Sequence, residues 1–361
     1  MQIFHIWDLT SYSTKLTVNL EAESLKMLKC LLHEKYGSSA ATARAFDFNR
    51  WTTTDWLKGR RPINLQALIK FLRDLDMQRM WIEKHVIDVG LNRYRILEPK
   101  FPIKPNPIFA SILVNLIGDG CTIGNDTGFF HYRDIESHKI IAEKVLYTIG
   151  RPKHKTSGIY VPSLLVHLIK KYFDITFPCK KLPTKIKKAD KWTKLACITA
   201  FTNDEGSITP NFLQLCSKDK LLLIDMIDIC KSLGYKVSSV YVNKKGISNF
   251  RVNSPKKFYS DYKKLVEKYY DARLISRKEN ILKLVNINYL NGRKFTTREI
   301  EEKVISVLSD EPKNIYELVK DSSIRISTIR HHIRKFIARN LVLRQKVGHN
   351  YFYKLNKIGS W

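Results

Sequence analysis

Two short stretches constrain this chain more than anything else in it. Residues 109–120 read FASILVNLIGDG, and residues 195–207 read LACITAFTNDEGS. Each is an apolar run of helix length that ends in an acid followed at once by glycine, Asp119-Gly120 in one and Glu205-Gly206 in the other. One such run would read as a helix with a stop signal. Two of them, with acids 86 positions apart (205 − 119), read as an internal repeat. Small residues at Ala110, Ser111 and Gly118, and at Ala196, Thr199 and Ala200, would let the two helices pack closely with their ends together. A carboxylate at a helix C-terminus meets the negative end of the helix dipole, and two at adjoining ends are worse. A divalent cation between them removes the conflict, so Asp119 and Glu205 are expected to form a hard-oxygen metal site.

The charge balance says what such a site would act on. Lys and Arg number 63 against 34 Asp and Glu, a formal net charge of +29. That excess calls for a polyanionic partner, nucleic acid first. A disordered basic tail is excluded as its source by the 44% hydrophobic content. At 361 residues the chain has room for two or three domains. It has no apolar run of transmembrane length, and its opening MQIFHIWDLTSYSTK lacks the basic-then-apolar layout of a signal peptide. A soluble, cytoplasmic, nucleoid-associated protein with no membrane partner is expected. Six cysteines, Cys30, Cys121, Cys179, Cys197, Cys216 and Cys230, show no C-x-x-C spacing and read as core thiols.

The paired acid-glycine helices resemble the LAGLIDADG homing endonucleases of the single-chain, two-motif, archaeal type, over roughly residues 105–292. The resemblance implies an α+β fold of two pseudo-symmetric αββαββα repeats, residues 105–178 and 195–292, joined by a basic linker, residues 179–194. It implies a monomer with an internal pseudo-twofold axis and two curved sheets straddling duplex DNA. It also implies that Asp119 and Glu205 hold Mg²⁺ or Mn²⁺ for phosphodiester cleavage. In this family a glutamine ends the second strand and a lysine lies near the end of the fourth. Gln214 fits the glutamine in the second repeat, and its equivalent in the first falls near Phe130 or His131. The lysine positions hold Val161 in one repeat and Asn253 or Ser254 in the other, with Lys153, Lys155, Lys244 and Lys245 only nearby. Val114 replaces the usual motif glycine. Lys180, Lys181, Lys187 and Lys188 of the linker, with Lys244, Lys245 and Arg251, are expected phosphate or base contacts.

Both flanks carry further patterns. Residues 1–98 are expected to form an all-α domain in which Tyr36–Leu72 resembles a helix-turn-helix, with a recognition helix over about Arg50–Lys58. Arg50, Thr52, Thr53 and Thr54 would read base edges, Arg60 and Arg61 would sit over phosphate, and Trp51 and Trp56 would be core. Prolines at 99, 102, 105 and 107 predict a stiff extended connector. Residues 296–361 resemble a winged helix-turn-helix, with Arg325, Arg330, His331, Arg334 and Lys335 on a basic side. His331-His332 does not suggest a metal, because adjacent positions do not share a helix face. The functions implied are a Mg²⁺-dependent, site-specific double-strand endonuclease, a non-cleaving DNA-binding regulator, or an RNA intron maturase.

Overall fold

The computed structural model describes residues 2–91, 94–123, 127–130, 135–153, 159–243, 246–286, 296–308, 311–347 and 350–356. Its first part contains β1 (Thr17–Leu20), α1 (Ala22–Tyr36), α2 (Ser39–Ala45), α3 (Arg50–Leu57), β2 (Ile63–Asn64), α4 (Leu65–Asp74), α5 (Met80–His85), β3 (Val86–Leu91) and β4 (Tyr94–Leu97). The first repeat follows as α6 (Pro107–Gly118), β5 (Gly120–Ile123), β6 (Thr127–Phe130), α7 (Ile135–Thr148), β7 (Arg151–Pro152), β8 (Ile159–Val161) and α8 (Ser163–Phe173). After α9 (Thr184–Lys187) in the linker comes the second repeat. It comprises α10 (Lys191–Glu205), β9 (Gly206–Ile208), β10 (Leu213–Ser217), α11 (Lys220–Ser232), β11 (Tyr241–Val242), β12 (Ser248–Val252) and α12 (Pro255–Lys268). The chain continues through α13 (Ser276–Lys283) to α14 (Thr297–Val307), β13 (Lys313–Asn314), α15 (Ile315–Ser322), α16 (Ile326–Ala338), β14 (Val342–Val347) and β15 (Asn350–Leu355).

The fold is mixed α and β, with helices over small antiparallel sheets. The first part is not the all-α unit expected from its sequence. Its strands form a five-stranded sheet ordered β2-β1-β3-β4-β7, in which β3 and β4 fall within the stretch expected to be all helical. Buried Arg95 holds this sheet together by pairing with Asp88 and donating from Nη1 to Thr17 Oγ1 at 2.8 Å. At four and two residues, β1 and β2 are too short to show alternation against helical neighbours.

The fifth strand, β7, belongs by sequence order to the first repeat. Its counterpart in the second repeat, β11, stays with its own sheet, ordered β11-β12-β10-β9, whereas β7 pairs with β4. Backbone pairing of Phe4 with Ile103 adds a second tie. One buried apolar cluster accordingly runs from Phe4 to Val285, and a separate smaller one, Leu284 to Val342, fills the C-terminal unit of three helices and a three-stranded sheet.

Candidate metal centre and nucleic-acid interface

Helices α6 and α10 pack against each other along their length, and both begin with a side-chain cap. Asn106 accepts from the Phe109 N–H at 3.0 Å, and Asp190 accepts from the N–H groups of Trp192 and Thr193 at 2.7 and 3.0 Å. The small residues sit where close packing requires them: Ala110, Ser111, Ala196, Thr199 and Ala200 are all buried. At the far end the helices touch through polar atoms. Asn115 Nδ2 donates to Asp204 Oδ2 at 2.8 Å, and a Cβ on Gly118 would lie 3.0 Å from the same oxygen.

Each helix then turns directly into a strand. A Cβ on Gly120 would lie 2.7 Å from the Leu116 Cα, and one on Gly206 would lie 2.7 Å from the Thr202 Cα. Only glycine permits the strand to leave that close to the last helical turn. The acid before it is thereby fixed at the helix end, Asp119 just beyond α6 and Glu205 closing α10. Burial raises the pKa of both carboxyls, and the charge on Asp119 raises that of Glu205 further. Two carboxylates in that situation suit a hard divalent cation, so the residues fit Mg²⁺. Among the described residues no group of three or more His, Cys, Asp or Glu gathers to hold a metal.

Two lysines that sequence reasoning missed serve this centre. Lys278 of α13 is buried and donates to the carbonyls of Thr202 and Asn203 at 2.6 and 2.7 Å, the open end of α10. Burial pulls its pKa down to about 8, while its charge favours ionised Asp119 and Glu205. Lys218 also favours ionised Glu205, and Lys218 and Glu205 line a cleft of about 410 Å³ together with Lys180, Cys216 and Asp219. Neither lysine stands in a motif; Lys278 is 73 residues from Glu205 (278 − 205) and reaches it only through tertiary folding. Behind the acids, fully buried Lys144 donates to Asn115 Oδ1 at 2.7 Å, completing a Lys144–Asn115–Asp204 chain across the helix pair. Burial depresses the Lys144 pKa, and Asp204 opposes that shift.

Strand registers fix the repeat correspondence. Gly120 pairs with Phe130 and Gly206 with Leu215, so the counterpart of Gln214 is Phe129, one place from the expected Phe130. His131, the other expected position, lies outside the described residues. Gln214 stands on the outer face of its sheet beside Ser207 and Arg251, and donates to Asn249 Oδ1 at 3.1 Å. Arg251 is exposed, its guanidinium 4.5 Å from the Phe212 ring and 5.6 Å from the Tyr241 ring. Val161 is buried in the core of the first repeat. Lys244 and Lys245 lie outside the described residues.

The linker lysines divide. Lys187 is paired with Asp225, whose other oxygen accepts from the Leu182 N–H at 2.8 Å, so it anchors the linker. Lys181 and Lys188 are not buried.

In the N-terminal part, α2 and α3 are joined by residues 46–49, and Asn49 caps α3 at the Thr52 N–H, 3.1 Å. Arg50 is exposed and Thr52 and Thr54 are half-buried, but Thr53 is fully buried with its hydroxyl donated to the Asn49 carbonyl at 3.1 Å. Thr53 is therefore removed from the base-reading set. Trp51, expected in the core, is 74% exposed; Trp56 packs edge-on against Phe48. Arg60 and Arg61 are exposed and flank Asp55 at 3.9 and 3.2 Å. In the C-terminal unit Arg325, Arg330, His331 and Arg334 are exposed and Lys335 is half-buried. His332 is turned inward instead, its Nδ1 3.4 Å from Glu301.

Comparison with known proteins finds a family match and a structural likeness. Residues 290–359 match the family described as the N-terminal domain of the methanogenesis regulatory protein FilR1. No curated protein matches the chain. A solved structure of mesophilic variants of the homing endonuclease I-DmoI matches at 14% identity and a TM-score of 0.31, covering 45% of this chain and 93% of that one. Neither assigns the chain to a family. No described helix is long and apolar enough to cross a membrane.

Proposed function

We propose that this protein is a site-specific DNA-binding protein that cleaves duplex DNA with Mg²⁺ held between Asp119 and Glu205. The observation that carries the reading is the juxtaposition of two acids at adjoining helix ends, each fixed by a glycine that tolerates no side chain. When bound there, the ion would supply Lewis-acid stabilisation and a water acidic enough to attack phosphorus. The chain's own residues do the rest. Lys180 and Lys218 attract a phosphate into the cleft beside Glu205, Lys278 holds the end of α10, and Arg251 faces the duplex from the second sheet. With a selected target site in a supercoiled plasmid, the protein converts plasmid to product in Mg²⁺. Asp119→Asn and Glu205→Gln each abolish the conversion while DNA affinity is kept or raised, since a negative charge beside phosphate is gone.

A second reading, a DNA-binding regulator that does not cleave, is favoured by Lys278, a resident cation whose charge already favours the ionised acids, and by Phe129 in the place of Gln214. The match of the C-terminal unit to a regulator's N-terminal domain points the same way. Tight binding of the selected site without cleavage in either Mg²⁺ or Mn²⁺ decides for it.

A further inference from the structure

Trp51 is the second residue of α3 and is 74% exposed, whereas Trp7, Trp56, Trp81 and Trp192 are each partly buried against the core. Leaving most of an indole in water forgoes the burial that normally places tryptophan inside. Its neighbours do not account for it as packing. The Arg50 guanidinium lies 5.7 Å from the ring centroid, so an exposed cation is poised against an exposed aromatic at the end of α3 capped by Asn49. The buried side of α3 is supplied by Thr53 and Leu57, and Trp51 points away from it.

We infer that Trp51 is a base-contacting residue of this chain, its indole packing against the C5-methyl group of a thymine in the major groove. The inference rests on the proposal that the protein binds duplex DNA and on α3 being the helix that enters the groove. It follows from what the groove offers: nearly all its sequence information is carried by hydrogen-bond donors and acceptors, and the thymine methyl is its one apolar feature. An indole that protrudes from the end of a helix that enters the groove N-terminus first meets base edges before any shorter side chain does. The neighbouring Arg50 is then held by the ring at the groove wall, in reach of phosphate or a guanine edge. Trp51 thus reads the thymine methyl, which no hydrogen bond from Arg50, Thr52 or Thr54 registers.

The test uses the full-length protein and the duplex site recovered from a random library. Each thymine is replaced singly by deoxyuridine, which removes the methyl and nothing else. Replacement at one position lowers wild-type affinity about fourfold, the worth of one buried methyl. Trp51→Ala binds the unmodified site more weakly and is indifferent to that replacement, and Trp51→Phe keeps part of the response. Because the side chain is exposed, both variants melt with the wild type. Wild-type indifference to every replacement, or an undiminished response in Trp51→Ala, overturns the inference while DNA binding stands. Absence of salt-dependent duplex binding by the wild type removes the reading on which it rests, and the inference with it.

Discussion

At the scale of single residues, Asp119 and Glu205 are costly to the fold. Both carboxyls have folded pKa values raised above their ordinary 3.8 and 4.5, chiefly by burial. With a raised carboxyl pKa the folded protein retains a proton that the unfolded chain has released. The stability so gained is full at low pH and is lost as pH rises through the raised value. In chelator, therefore, the wild type loses stability as pH climbs through the range just above 3.8 and 4.5. Asp119→Asn and Glu205→Gln remove that loss and should unfold at higher urea than the wild type at pH 7. Solvent screening at these partly open sites keeps the gain small. Added Mg²⁺ should stabilise the wild type and leave the variants unmoved; equal stabilisation of all three would show that the ion binds elsewhere. Lys144 has the opposite sign of effect. Truncating it to alanine leaves Asn115 and Asp204 without their cation and should cost about 3 kcal/mol or more.

At the scale of elements, the two helix-to-strand junctions are the parts most legible in the sequence, because acid, glycine and apolar run are contiguous. What could not be read was which partner an element chooses. Nothing local distinguishes β7 from β11, yet one joins the N-terminal sheet and the other its own repeat, because β4 offers an open edge only to the first. Trp51 and Trp56 were equally opaque: five residues apart on one short helix, they differ in which way they face, and composition does not carry that. The junctions yield their own prediction. Gly206→Ala puts a methyl 2.7 Å from the Thr202 Cα and 2.8 Å from its carbonyl oxygen, backbone that cannot move aside without shifting Glu205. It should destabilise by about 1–3 kcal/mol and abolish cleavage with DNA affinity largely kept. Unchanged cleavage would mean that the end of α10 has more freedom than this packing allows.

At the scale of the whole molecule, the two apolar clusters divide the chain unequally. The C-terminal unit has a core of its own, so deleting residues 296–361 should leave the remainder folded. Residues 1–98 share one continuous core with the first repeat: Phe4 and Phe109 both pack on Tyr172, and β4 carries β7. Their removal strips one wall from the first repeat and should give insoluble protein rather than a smaller DNA-binding one. Charge is distributed with the same inequality. Part of the +29 is spent internally, as in Lys144, Lys187, Lys191 and Lys278, each tied to a carboxylate, amide or carbonyl within the protein. Three places on the surfaces proposed to meet DNA carry exposed cations: the end of α3, the sheet and cleft of the second repeat, and α16. Each place can neutralise two or three phosphates, and every phosphate neutralised adds about −0.9 to the slope of log affinity against log salt. The full chain should therefore show a slope steeper than about −6, and deletion of residues 296–361 should make it shallower by about 2. A slope near −2 for the full chain would mean that only one of the three surfaces meets DNA at a time. The C-terminal unit would then be a separate reader of DNA rather than an extension of the same footprint.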